Sequence, residues 1–133
     1  MVVRKMMKNT EIYNIASALV NLYNQMAENN MKFPVKVNFY FSKNMKSLVD
    51  MAQELDTERN AIITKFGTPD KDDPNKINID PDKVDDANKE LVDLFNLEQE
   101  VAINTIDLEC FDGIEMTPQE VEAISFMIKE DEE

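Results

Sequence analysis

The most constraining feature of this chain is a heptad seam. Phe41, Met45, Leu48, Ala52, Leu55, Arg59, Ile62 and Phe66 follow in steps of 4-3-4-3-4-3-4, and seven of the eight are apolar. That spacing belongs to a long helix laid against a partner helix. Gly67-Thr68-Pro69 ends it, with glycine expected in a left-handed cap and proline barring continuation. The partner is close in sequence. Ile12, Ile15, Leu19, Leu22 and Met26 form a second apolar stripe, for which Thr10 is the expected N-cap. Asn29-Asn30 and the stretch to Pro34 separate the two. A connection that short implies an antiparallel helical hairpin over residues 10–66.

Two readings of residues 35–41 are open. Val35, Val37, Phe39 and Phe41 alternate with Lys36, Asn38 and Tyr40, a period-two strand pattern. As a strand, the segment would make Ser42 the cap of a shorter helix. As a helix, it extends the heptad phase back to Pro34, which suits a first turn. Helix is favoured. A helix of that reach spans roughly 50 Å, so the protein is elongated or the helix bends near Ser42–Asn44.

The second half of the chain is irregular at first. Residues 67–80 form a polar loop, with Ile77-Asn78-Ile79 a short strand. Asp80-Pro81 opens a third helix, whose apolar face is Val84, Ala87, Leu91, Leu94 and Phe95. Residues 98–108 predict a strand, with a change of phase that a β-bulge would produce. This strand and residues 77–79 are expected to pair as one ribbon. Asp112-Gly113 marks a turn, and Thr117-Pro118-Gln119-Glu120 is a capping box opening a last helix. That helix turns Val121, Ile124, Met127 and Ile128 inward. Residues 1–9 are expected to be a loose start and residues 131–133 a mobile acidic tail. The predicted class is mainly α with α+β character: one domain over residues 1–133, built from a long helical hairpin, two further helices and a small two-stranded β-ribbon.

Composition narrows the chemistry. The chain of 133 residues has no histidine, one cysteine (Cys110) and two glycines (Gly67 and Gly113). Ser-His and Cys-His nucleophile pairs are excluded, as are His-ligated zinc and a glycine-rich phosphate loop. Asp70, Asp72 and Asp73 resemble the start of a calcium loop. Asn75 stands where that loop needs glycine, and Pro81 where it needs glutamate. No enzymatic activity, metal or cofactor is expected. No run of apolar residues is long enough to span a membrane. Arg4, Lys5 and Lys8 are followed by no apolar block, so no export signal is expected.

Charge is unevenly placed. Residues 1–66 hold nine Lys/Arg and six Asp/Glu, a net +3, whereas residues 67–133 hold five Lys and twenty-one Asp/Glu, a net −16. Such a half repels nucleic acid and membranes and attracts basic proteins. Asp82, Asp85, Asp86, Glu90 and Asp93 fall opposite the apolar side of the third helix. Together with Asp72 and Asp73 they are the candidate partner-binding residues. Arg59, the one polar seam position, is expected to pack its stem and carry its guanidinium out to a carboxylate.

The run Phe33-Pro34-Val35-Lys36-Val37, then Ser42-Lys43-Asn44-Met45-Lys46, Glu58-Arg59, Lys65-Phe66-Gly67, Glu90-Leu91, Leu108-Glu109 and Gly113-Ile114-Glu115-Met116-Thr117-Pro118 resembles a group of small uncharacterised proteins of tailed bacteriophages and prophages. The likeness covers about residues 30–130 and rests on caps, turns and seams. It brings no catalytic residue. It implies action in a bacterial cytoplasm or in virion assembly. The expected function is a protein-binding inhibitor of a host defence complex, of the CRISPR type or another nuclease, that occupies a basic nucleic-acid-binding surface. The alternative is a virion or tail assembly component or assembly chaperone, with the seam also serving a homodimer.

Overall fold

The computed structural model describes residues 2–129 of the chain. The expected tail at residues 131–133 lies outside the described residues. In chain order the elements are β1 (Val2–Lys8), α1 (Asn9–Glu28), α2 (Val35–Phe66), β2 (Gly67–Pro69), β3 (Ile77–Ile79), α3 (Val84–Asn96), β4 (Glu98–Asn104) and α4 (Pro118–Ile124). The class is mainly helical α+β, with two antiparallel two-stranded ribbons.

The hairpin of α1 and α2 is the frame. α2 is one helix of 32 residues, about 48 Å long, so residues 35–41 are helical and Pro34 is its N-cap. Asn30, at φ +53°, makes the left-handed step after α1, and Met31 N donates back to Met26 O at 3.1 Å. Asparagine tolerates that conformation better than most residues. Val37, Phe41, Leu48 and Leu55 are buried against Ile12, Ala16, Leu19 and Leu22. Met45 and Ala52 are only half-buried. The fully buried neighbour of Met45 is Asn44, at 2% exposure. Its Oδ1 accepts from Asn104 N at 2.8 Å and its Nδ2 donates to Asn104 O at 2.9 Å. A polar residue takes an inner position because it completes the backbone where β4 ends.

The ribbon pairing corrects the expectation. β4 pairs with β1, from Val2↔Asn104 to Lys8↔Glu98, so residues 2–8 are a strand rather than a loose start. Met7, Val101 and Ile103 are buried, while Met6, Glu98 and Ala102 face solvent. Lys8 opposite Glu98, and the 3.2 Å pair of Arg4 and Glu100, set opposite charges along the outer face. β3 pairs instead with β2. Gly67 is extended, at φ −124°, and is no left-handed cap. Its constraint is space: a Cβ there would meet Ile77 Cγ2 and lie 2.8 Å from Ile63 O.

Further differences are local. α1 starts at Asn9, not after Thr10. Asn9 N donates to Leu97 O at 2.8 Å, its Nδ2 donates to Leu94 O at 2.8 Å, and its Oδ1 accepts from Gln99 Nε2 at 2.6 Å. This buried residue locks the β1–α1 junction onto the α3–β4 junction. β4 ends at Asn104. Ile106 then bridges to Ile128, and Leu108 lies exposed in a 3-10 turn. Val84 and Val121, expected inward, are exposed. Gly113, at φ +82°, makes the predicted turn, and the Thr117–Glu120 capping box is present. Phe33 packs edge-on against Phe41 and Phe111, docking the 3-10 turn Leu108–Phe111 on the hairpin bend. One hydrophobic cluster joins Met7, both long helices, β4 and Met127.

Candidate partner-binding surface

α3 carries the site because its two sides are chemically separate. Asp80-Pro81 starts a 3-10 turn, Pro81–Lys83, that runs into the helix. Asp80 makes no N-cap hydrogen bond. Its Oδ1 accepts from Thr68 Oγ1 at 3.0 Å, tying the turn to β2. Ala87 is fully buried, and Leu91, Leu94 and Phe95 are half-buried toward the hairpin. Phe95 meets Tyr13 edge-on, at 5.9 Å between ring centroids.

A turn of 3.6 residues then places Asp85 about 160°, Asp93 about 120° and Asp86 about 100° around the helix from Ala87. Glu90 is only about 60° away, on the flank next to α2 and not on the outer side expected from the sequence; Asp82 lies in the preceding 3-10 turn. All are exposed except Glu90, which is half-buried. Lys65 Nζ holds Glu90, at 3.0 Å to Oε1 and 3.2 Å to Oε2. Among the described residues, Asp82, Asp85, Asp86 and Asp93 have no ion-pair partner. Lys89 also lies on the outer side, so four exposed acids accompany one base there. Steps of three or four residues along a helix are about 4.5–6 Å along the axis, the same order as charge spacing on a nucleic-acid strand.

Asp72 and Asp73 sit elsewhere, on the β2–β3 loop. Asp73 Oδ1 is engaged by Asn75 N at 3.0 Å. Asp70 organises the loop: its Oδ2 accepts from Asn78 Nδ2 at 2.9 Å and its Oδ1 from Asp72 N at 2.8 Å. The Asn78 bond, then the Asp72 amide, hold the Asp70 carboxyl below its ordinary value. The carboxylates of Asp70 and Asp73 therefore serve the turn itself, and Asp72 joins it through its backbone amide. Among the described residues, no group of three or more His, Cys, Asp or Glu could hold a metal ion. Arg59 meets Asp56 Oδ1 at 3.0 Å, one turn back and partly in water, as the sequence predicts.

Two surface features escape the sequence pattern. The first is a groove of about 450 Å³ beside the end of α3, where Leu55, Leu94 and Leu97 lie among Glu54, Glu58 and Glu98. No spacing rule joins those positions, because the Asn9 junction brings them together. The second is the outer side of α2 near its start. There Val35 is 86% and Phe39 57% exposed, among the exposed Lys36, Lys43 and Lys46. Lys43 Nζ stands 5.0 Å from the Phe39 ring centroid. The inner seam positions Phe41, Leu48 and Leu55 are covered within the chain, so they offer no apolar face to a second copy.

No protein-family model, curated protein or solved structure matches this chain. No helix is long and apolar enough to cross a membrane among the described residues.

Proposed function

We propose that this chain is a non-enzymatic, acidic protein-binding protein of phage origin that inhibits a host defence nuclease or CRISPR-type complex. The outer face of α3 occupies a basic groove that would otherwise hold nucleic acid. The carrying observation is that Asp82, Asp85, Asp86 and Asp93 are exposed, without an ion-pair partner among the described residues, on a turn and helix whose other side is anchored in the core. Anchoring fixes the charges before the partner arrives, so little ordering cost falls on binding. Beside the end of α3, a separate groove walled by Glu54, Glu58 and Glu98 over an apolar floor adds further negative charge, and it suits the long stems of lysine and arginine. The phage setting rests on the resemblance of residues 30–130.

The test is affinity capture from a bacterial lysate, comparing the wild type with a D82N/D86N/D93N variant. Glu90 is left intact because it holds Lys65. The expected result is a captured nucleic-acid-binding protein that nucleic acid displaces. Its affinity should fall at least ~tenfold from 50 to 500 mM NaCl and comparably in the variant. Equal capture by both proteins at both salt concentrations would end this reading.

One observation favours the second reading, an assembly component or assembly chaperone. The exposed Val35–Phe39 side of α2 is an apolar surface with basic flanks, of a kind used for protein contact. Mass spectrometry of purified virions separates the two, because an inhibitor should be absent from particles.

A further inference from the structure

The outer side of α2 changes sign half-way along its length. Counted from the buried Phe41, Val35, Lys36, Phe39, Lys43 and Lys46 fall within an arc from about 120° to about 220° around the helix, at about 100° per residue. Asp50, Glu54, Thr57 and Ala61 fall within the same arc further along. All of these residues are exposed. Every charged residue of α2 before Asp50 is lysine, and every one from Asp50 to Glu58 is acidic. The neighbours packed on α2 meet it off this arc: Tyr13 of α1 bonds Asp56, and Lys65 holds Glu90 of α3.

This order of signs does nothing for the chain itself. Among the described residues, Lys36, Lys43, Lys46, Asp50 and Glu54 have no ion-pair partner. Lys36 sits in a first turn that holds no acid, against the preference of the helix dipole. Val35 and Phe39 lie in water beside the lysines. A face that is apolar and basic at one end and acidic at the other is complementary to a second copy of itself, in one orientation only. Parallel copies would set lysine on lysine and carboxylate on carboxylate, which repel. Antiparallel copies set each sign on its opposite.

We propose that α2 pairs antiparallel, along this outer face, with the α2 of a second copy of the chain. A two-fold axis at the level of Leu48 places Lys46 of each copy opposite Asp50 of the other, and Lys43 opposite Glu54. The same register sets Phe39 opposite Thr57 and Val35 opposite Ala61, smaller groups that leave room for the exposed apolar side chains. Every contact occurs twice and the pair is closed, so growth stops at two copies. From Val35 to Ala61 the contact is about 39 Å long. Few of its residues are apolar, and exposed ion pairs contribute little each. Repulsion between two chains of −13 weakens the dimer further. The pairing is independent of the function proposed for α3.

Sedimentation equilibrium of the full chain, from about 5 to about 500 µM, reads the association. Two charge-reversed variants carry the test. K43E/K46D makes the face acidic from residue 43 onward, and D50K/E54K makes it basic as far as residue 54. Both change exposed side chains only, and circular dichroism checks that they fold. The wild type should dimerise within this range, and each variant alone at least ~tenfold more weakly. Mixed in equal amounts, the two variants should form a heterodimer at least as tight as the wild-type dimer, because acid then faces base at every pair. On the wild type itself, carbodiimide should cross-link Lys43 of an isotope-labelled copy to Glu54 of an unlabelled one. Those results support the pairing. A chain that stays monomeric at the highest concentration overturns it. So does a dimer that either reversal leaves unchanged, a pair of variants that does not recover on mixing, absence of the Lys43–Glu54 cross-link, or growth beyond two copies.

Discussion

Asn44 shows how far a single side chain can depart from its place in a heptad count. The apolar pattern runs through Met45, yet Asn44 points inward and hydrogen-bonds both backbone groups of Asn104. Replacing it with alanine leaves that donor and acceptor unpaired in a buried site. Asn44→Ala is expected to lose about 2–4 kcal/mol in urea unfolding; a loss below 1 kcal/mol would show that water serves Asn104 equally well. Gly67 is a second residue whose role only contacts reveal. Glycine after a helix suggests a left-handed cap, but the position is extended and crowded by Ile77, Ile63 and Asn78. Gly67→Ala should therefore cost about 1–3 kcal/mol through overpacking, not backbone strain. Glu120 and Asn9 belong with these two. A sequence gives the residue type and the capping spacing, but not whether an oxygen is sealed from water, as Glu120 Oε2 is.

Elements were legible where their signals are local. The seam, the Asn29–Pro34 break, the Asp112-Gly113 turn and the Thr117 box each lie within a few residues, and each appears where its pattern places it. Strand pairing is not local. β1 and β4 meet across 90 to 102 positions, and the basic start of the chain resembles a loose leader more than a strand. The short ribbon of β2 and β3 is held by its loop, and there the Asp70 carboxyl titrates below the ordinary aspartate value of 3.8. A carboxyl lowered in the folded state contributes stability above its unfolded value, and the contribution is lost as pH falls through the folded value. Amide signals of Asp72 and the Asn78 side chain should thus follow a titration whose midpoint lies below 3.8. In Asp70→Asn they should no longer follow an aspartate titration. A midpoint at or above 3.8 in the wild type would show that the Asn78 and Asp72 bonds do not hold the carboxylate.

At the scale of the whole molecule, charge was countable from the sequence and its placement was not. The acidic half is joined to β1 by Arg4–Glu100 and to the hairpin by Lys65–Glu90, while Asp82, Asp85, Asp86 and Asp93 have no ion-pair partner among the described residues. Exposed pairs such as Arg4–Glu100 contribute little, whereas a net charge of −13 repels itself in the compact state. Salt shortens the reach of that repulsion, to about 10 Å at 0.1 M. Raising NaCl from 20 to 500 mM should therefore stabilise the folded chain by about 1 kcal/mol, or ~3–5 °C in Tm. The same salt should weaken capture of a basic partner, because it screens an attraction between molecules instead of a repulsion within one. Opposite signs for the two effects are expected only if the acidic face is unpaid-for within the chain and satisfied outside it. A thermal scan and a capture series over one set of buffers would measure both. If Tm falls with salt, the carboxylates are stabilised by internal pairs, and α3 is not a surface held ready for another molecule.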